Sequence, residues 1–196
     1  MEINDIITCI LSLIAITISV FTYWDSNYNF KLKTSVGRHS KLYTIIVDNN
    51  GKRPAIFLNV SFLNNGGKTE TLEDVKLYVT ISANGKTILI ENFIAEREFT
   101  DIFNDNATLT EILPIVVSGK SNTVKKYLFR SETTIDQHHI PFRFDLKFTI
   151  HVKQLGKWIE QSTFESKNNS NVWQDLTLTT SNSSIINLKT IQNEKN

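Results

Sequence analysis

Three groups of residues in this sequence carry side chains that could do chemistry at close spacing. The first is basic: Lys120, Lys125, Lys126 and Arg130, with Tyr127 and Phe129 interleaved. Gathered on one surface they would contact a small anionic ligand or lipid headgroups. Spread over both faces of a strand they would be an ordinary mixed surface. The second group is imidazole. His138-His139, following Asp136, is the one dense set of candidate metal ligands, and His39 and His151 stand apart from it. Neighbouring residues on an extended chain point in opposite directions, so a metal would need further ligands from elsewhere; a polar loop is the other reading. The third group is acidic, at Glu70, Glu73 and Asp74 and at Asp101 and Asp105. Such carboxylates serve either as acid–base pairs or as solvated turns.

The patterns that nucleophilic, phosphate or zinc chemistry requires are missing. There is no Gly-x-Ser-x-Gly, no glycine-rich phosphate loop, no His-Glu-x-x-His and no Cys-x-x-Cys. The expectation is a protein that is not an enzyme and holds no cofactor or metal. A formal net charge of +1 supplies no field for nucleic acid. Cys9, the single cysteine, excludes an intrachain disulfide and suits a reducing compartment.

The elements that must position these groups fall into two regimes. Residues 6–24 carry no charge. As a helix they span roughly 28 Å, against a hydrocarbon core of ~30 Å. Tyr23 and Trp24 close the run, where aromatic rings favour the headgroup layer. A cleaved signal would begin with basic residues and end in small ones; this segment begins with Glu2 and Asp5 and ends Tyr-Trp-Asp. The expected division is a transmembrane anchor over 1–27, a β-domain over 28–189 and a polar tail over 190–196. Lys31, Lys33, Arg38 and Lys41 flank the helix on its C-terminal side, and no Lys or Arg precedes it. That asymmetry predicts a single pass through the inner membrane with the β-domain in the cytoplasm.

Within the apolar run, Thr8, Ser12, Ala15, Ser19 and Thr22 recur at steps of 4, 3, 4 and 3. A seam of small and hydroxyl residues lets helices approach closely in lipid, which predicts a homo-oligomer. The competing reading is that the hydroxyls bond back to carbonyls of their own helix.

Beyond residue 30 the pattern changes to period two. Phe142, Phe144, Leu146, Phe148, Ile150 and Val152 share one face of a strand, with polar residues and His151 on the other. The segments 56–62 and 75–81 repeat the alternation, and further strands are expected at 30–36, 41–48, 86–94, 112–117, 123–130, 156–164, 172–180 and 184–189. Asp48-Asn-Asn-Gly51, Asn64-Asn-Gly-Gly67 and Asn84-Gly85 supply residues that tolerate positive φ, as tight hairpins require. Residues 96–111 form the irregular insertion. Trp158 and Trp173 are assigned to the core. Eight to ten short strands at this spacing predict an all-β sandwich or barrel.

The segment from Leu58-Asn-Val-Ser-Phe-Leu-Asn-Asn-Gly-Gly67 to Val79 resembles the second-to-third strand region of bacterial immunoglobulin-like adhesion and accessory domains, in which a strand ends in Asn-x-Gly before a polar turn. Leu113-Pro-Ile-Val-Val-Ser-Gly119, with the strand ending at Phe129, is similar to their later half. The resemblance implies an immunoglobulin-like β-sandwich and transfers no functional residue. The anchored architecture and the absence of a catalytic motif together lead to the expectation of a membrane-tethered binding module for a protein partner. The layout also resembles, without a shared motif, bacterial anti-phage effectors that join membrane helices to a β-domain binding a nucleotide second messenger. That likeness implies a membrane-perturbing effector. An extracytoplasmic envelope protein would require the opposite topology.

Overall fold

Isoleucine, leucine and valine dominate residues 6–24, and in the computed structural model they lie in one helix, α1 (Ile3–Tyr28). Described are residues 3–46, 52–99, 109–110, 114–133, 143–170, 183–187 and 189–191. Among these, α1 is the one helix long and apolar enough to cross a membrane, and none of it is buried against the rest of the chain. Phe21 is 72% exposed and Leu13 68%. A contiguous apolar surface of this size is untenable in water and asks for lipid or a partner. Trp24 and Tyr28 stack at its C-terminal end with ring centroids 4.6 Å apart.

The remainder is β-structure. Its strands are β1 (Leu32–Val36), β2 (His39–Ile46), β3 (Lys52–Asn64), β4 (Glu70–Leu72), β5 (Asp74–Ala83), β6 (Lys86–Phe99) and β7 (Leu109–Thr110), followed by β8 (Ile115–Val117), β9 (Ser121–Ser131), β10 (Arg143–Gln154), β11 (Lys157–Ser170), β12 (Ser183–Asn187) and β13 (Lys189–Ile191). The period-two segments become strands where expected, because alternation lets each bury one face. Val75, Leu77, Val79 and Ile81 of β5 are buried, as are Phe144, Leu146, Phe148, Ile150 and Val152 of β10. Part of the expected insertion is strand: β6 runs on to Phe99, and β7 pairs back with it through Glu98 and Phe99, while residues 100–108 and 111 lie outside the described residues. The expected strand at 172–180 lies outside the described residues. Of the expected tail, residues 190–191 belong to β13, which pairs with residues 163–165 of β11, and residues 192–196 lie outside the described residues.

Pairing draws a single curled sheet rather than the two packed sheets of an immunoglobulin-like sandwich. The path runs β12-β2-β3-β9-β6-β5-β10-β11-β13, with every pair antiparallel. β1 continues the edge beside β3, opposite residues 60–64, while β2 occupies the same edge opposite 52–57. The far side of β1 meets β11. There the Thr34 hydroxyl donates to Ser162 Oγ at 2.8 Å, and the Ser162 hydroxyl lies 2.7 Å from the Thr34 carbonyl. Seven strands, β1-β3-β9-β6-β5-β10-β11, thus nearly close a barrel. An odd number of alternating strands leaves one parallel seam, and β1 and β11 form it. The ribbon β4–β8 contributes Leu72, Ile115 and Val117 to the same core.

Strand direction defines two ends of this barrel. β1, β5, β9 and β11 begin at one end, where β3, β6 and β10 finish. Helix α1 feeds β1, so it enters at that end, together with the β10–β11 hairpin. The β5–β6 hairpin at Asn84-Gly85 lies at the other.

Candidate functional site

Two places on the described residues gather polar groups in arrangements that the core does not. One is the junction at which α1 meets the barrel. Asn64 ends β3 fully buried and satisfies four backbone groups. Its Oδ1 accepts from Lys31 N at 3.2 Å and Gly66 N at 2.9 Å, and its Nδ2 donates to the carbonyls of Lys68 at 2.8 Å and Ser118 at 3.0 Å. Backbone bonds add to this: Asn65 N donates to Lys31 O at 2.9 Å, and Lys120 N donates to Gly66 O at 2.8 Å. Outside them, Lys31 pairs with Asp25, and Lys120 Nζ donates to Asn27 Oδ1 at 3.1 Å. Three stretches of chain, 25–31, 64–69 and 118–120, are thereby tied into one knot with no free linker.

The glycines here do something other than expected. Gly66 and Gly67 do not take positive φ, and Asn64-Asn-Gly-Gly67 is not a hairpin turn. A Cβ on Gly66 would overlap the carbonyl oxygen of Asn29, and one on Gly67 would overlap that of Asn27. They are the places where the helix exit lies against the barrel backbone. The Asn84-Gly85 expectation holds, with φ of 51° and 74°.

The second place is an open groove of about 610 Å³ on the outer face of β5, β6, β10 and β11, lined in part by Tyr78, Thr80, Ile90, Lys147, His151 and Glu160. Lys76 Nζ stands 4.3 Å from the centre of the Trp158 ring and 5.8 Å from that of Tyr78, a cation–π bracket at the groove's rim. His151 tilts against Tyr78 with centroids 5.5 Å apart, and its buried Nδ1 has no hydrogen-bond partner among the described residues. Asn92 Oδ1, on the strand beside Tyr78, is in the same condition. Unpaired polar atoms beside an open surface are the features a polar ligand or partner side chain would satisfy. Trp158 is therefore not a core residue. The hairpin register sets it opposite Lys153, and it is 39% exposed.

The expected basic group does not assemble. Lys120 belongs to the junction. Lys125 shares a face of β9 with Tyr127 and Phe129 and pairs with Glu98 at 2.8 Å. Arg130 is on the other face and pairs with Glu96 at 2.9 Å. Lys126 lies opposite Asn59 of β3. Between them, Tyr127 is buried in the barrel, where desolvation, with Glu98 and Asp74 behind it, pushes its phenol well above the usual range. The acidic set also disperses. Glu70 pairs with Lys68, and Asp74 Oδ1 accepts from Val75 N at 2.7 Å. Glu73 lies 3.5 Å from Lys153 and accepts from Gly156 N at 2.8 Å. His39 starts β2 away from the groove, while His138, His139, Asp101, Asp105 and Trp173 lie outside the described residues.

Along α1 the hydroxyls bond backwards. Thr8 donates to Asn4 O, Ser12 to Thr8 O and Ser19 to Ala15 O, at 2.8–2.9 Å. Their donors are occupied within the helix, so the Thr8, Ser12, Ala15, Ser19, Thr22 seam offers small volume and acceptor lone pairs to a neighbour. Sequence reasoning missed the junction and the groove. The junction's signal was present in the doubled glycine, but the groove depends on which strands become neighbours.

No family model matches this chain, nor does any curated protein. A solved structure, described as the crystal structure of a protein from Archaeoglobus fulgidus, aligns over 83% of this chain and 100% of its own at 11% identity and a TM-score of 0.33. A likeness that loose carries no argument about fold or function.

Proposed function

We propose that this protein is a membrane-anchored, non-enzymatic binding module. Its helix α1 passes once through the inner membrane, and its β-barrel presents the β5–β6–β10–β11 groove to a protein partner in the cytoplasm. The observation that carries this reading is the pairing of a long apolar helix that buries nothing in its own chain with a junction tying it directly to the barrel. Cytoplasmic placement rests on the basic residues after the helix. Self-association through the small-residue seam belongs to the same proposal. Fusions of alkaline phosphatase and of a fluorescent protein to the C-terminus test it. Fluorescence without phosphatase activity is expected. Phosphatase activity without fluorescence would move the barrel outside and make an envelope role the reading to pursue.

A second reading, a membrane-perturbing effector gated by a small anionic ligand or a partner, draws support from the same junction. With no slack between barrel and helix, a rearrangement of the barrel would be felt by α1. Bulky substitution at Ser12, Ala15 and Ser19 should then abolish toxicity on overexpression; toxicity that persists removes this reading.

A further inference from the structure

Non-glycine residues with positive φ number three among the described residues: Asn84, Lys120 and Leu155. Asn84 is the residue such a turn prefers. The other two are at the helix end of the barrel, and neither residue type suits its backbone. Leu155 heads the Leu155-Gly156 turn at φ 49° and is 76% exposed, so folding gains nothing from its side chain. A strained, solvent-facing leucine at a hairpin tip points to a contact made outside the chain.

The registers say what that tip faces. β1 and β11 run in the same direction, with Thr34 level with Ser162. Counting back three residues sets Lys31 level with Ile159, so the tip at 155–156 projects about four residues, ~13 Å, past Lys31 on the side from which α1 arrives. Trp24 lies seven residues before Lys31: four in the helix, ~6 Å, and three beyond it, up to ~10 Å. The chain between Lys31 and Trp24 is thus of the same order of length as the projection of the tip, so a helix leaving along the barrel axis would bring Trp24 and Leu155 to similar depth. Exposed side chains at this end match such a surface. Leu63 lies opposite Lys33, and Val116 is 57% exposed on the β4–β8 ribbon. Lys33, Lys120 and Lys157 have no carboxylate partner among the described residues.

We propose that the helix end of the barrel rests on the bilayer, with Leu155 entering the interfacial layer and Lys33, Lys120 and Lys157 meeting the phosphates of anionic lipids. The inference rests on the membrane-anchor reading. It adds a second contact that holds the barrel against the surface and turns the groove in a defined direction. Apolar tips flanked by lysine gain from burial and from the surface potential together, at about fivefold in equilibrium constant per lysine.

The test uses the full chain with Cys9→Ser, carrying a fluorophore at Gln154→Cys or, at the opposite end, at Lys86→Cys. Each is reconstituted into vesicles of phosphatidylcholine, with and without about one-third phosphatidylglycerol, containing nitroxide-headgroup lipid. Residue 154 should be quenched several-fold more strongly than residue 86, and more so with phosphatidylglycerol. Lys33→Glu with Lys157→Glu should remove that lipid dependence. Leu155→Asn should weaken quenching at 154 while raising the melting temperature, because asparagine accepts the turn; a merely structural leucine would not separate the two. Equal quenching at 154 and 86, or quenching at 154 indifferent to Leu155→Asn, overturns the inference and leaves the anchor standing. If the chain fails to float with vesicles after an alkaline wash, the anchor reading falls, and this inference with it.

Discussion

The two glycine-bearing hairpins at opposite ends of the barrel have the same backbone and different residues. Asn84-Gly85 turns with φ of 51° and 74°, and Leu155-Gly156 with 49° and 73°. Both therefore meet the geometric demand that a two-residue hairpin imposes. Only the first meets it with the residue that geometry favours. The helix end departs from local preference elsewhere too, with lysine at positive φ in residue 120 and a buried asparagine in residue 64. Departures of this kind gather where a protein does something besides fold. The departures lie at the end that receives α1, and the far end shows none of them among the described residues.

Substitution at the glycines should break that comparison most sharply. Gly67→Ala must displace the backbone of Asn27, and Gly66→Ala that of Asn29, with no flexible side chain to yield. Each is expected to lower stability by more than about 3 kcal/mol. Gly85→Ala meets open space and bears only the cost of positive φ, about 1 kcal/mol. Thermal unfolding in detergent checks both; equal losses would mean the junction is not packed as described. Next in size is Asn64→Ala, which strands two donors and two acceptors, at about 2–3 kcal/mol. Trypsin should then cut near Lys31 sooner than in the parent chain.

The barrel interior gives a smaller contrast that depends on pH. Burial raises the Tyr127 phenol, so its protonated form is the one the fold accepts, and its hydroxyl has no partner among the described residues. Its stabilising effect is whole below the unfolded-state pKa near 10 and is lost as pH rises beyond it. The slope approaches about 1.4 kcal/mol per pH unit. Melting temperature should therefore fall above pH 10, and Tyr127→Phe should flatten that fall while leaving stability at pH 7 nearly unchanged. An unflattened profile would place the titrating group elsewhere.

How far the sequence foretells this architecture varies with the range of the interactions. The helix is legible as an uninterrupted uncharged run, and strands such as β5 and β10 because their burial alternates locally at period 2. The turn at 64–67 is misread because asparagine and glycine serve both positive φ and close approach, and sequence alone does not separate the two demands. Trp158 is misassigned because a hairpin register, set by a turn containing leucine, decides which face it occupies. Closure of the barrel through Thr34 and Ser162 joins residues 128 positions apart, and no local pattern announces it. The groove inherits that difficulty: Tyr78, Ile90, His151 and Glu160 meet only because β6, β5, β10 and β11 pair in that order.

The smallest expected effect is also the sharpest on the opening comparison. Exchanging the two turn residues should change stability in opposite directions at the two ends. Asn84→Leu puts a γ-branched side chain where asparagine tolerates φ near 50° and should cost about 1 kcal/mol. Leu155→Asn relieves the same strain and should return about 1 kcal/mol, since an exposed leucine surrenders no core contact. In the double exchange the two should cancel to within ~0.5 kcal/mol, because the turns lie at opposite ends of β5 and β10 and share no partner. Matched gains and losses in detergent would establish that Leu155 is a cost to the isolated fold. If Leu155→Asn instead destabilises the chain in detergent, the leucine gains more from a contact, with the protein or with the micelle, than the turn loses to its positive φ.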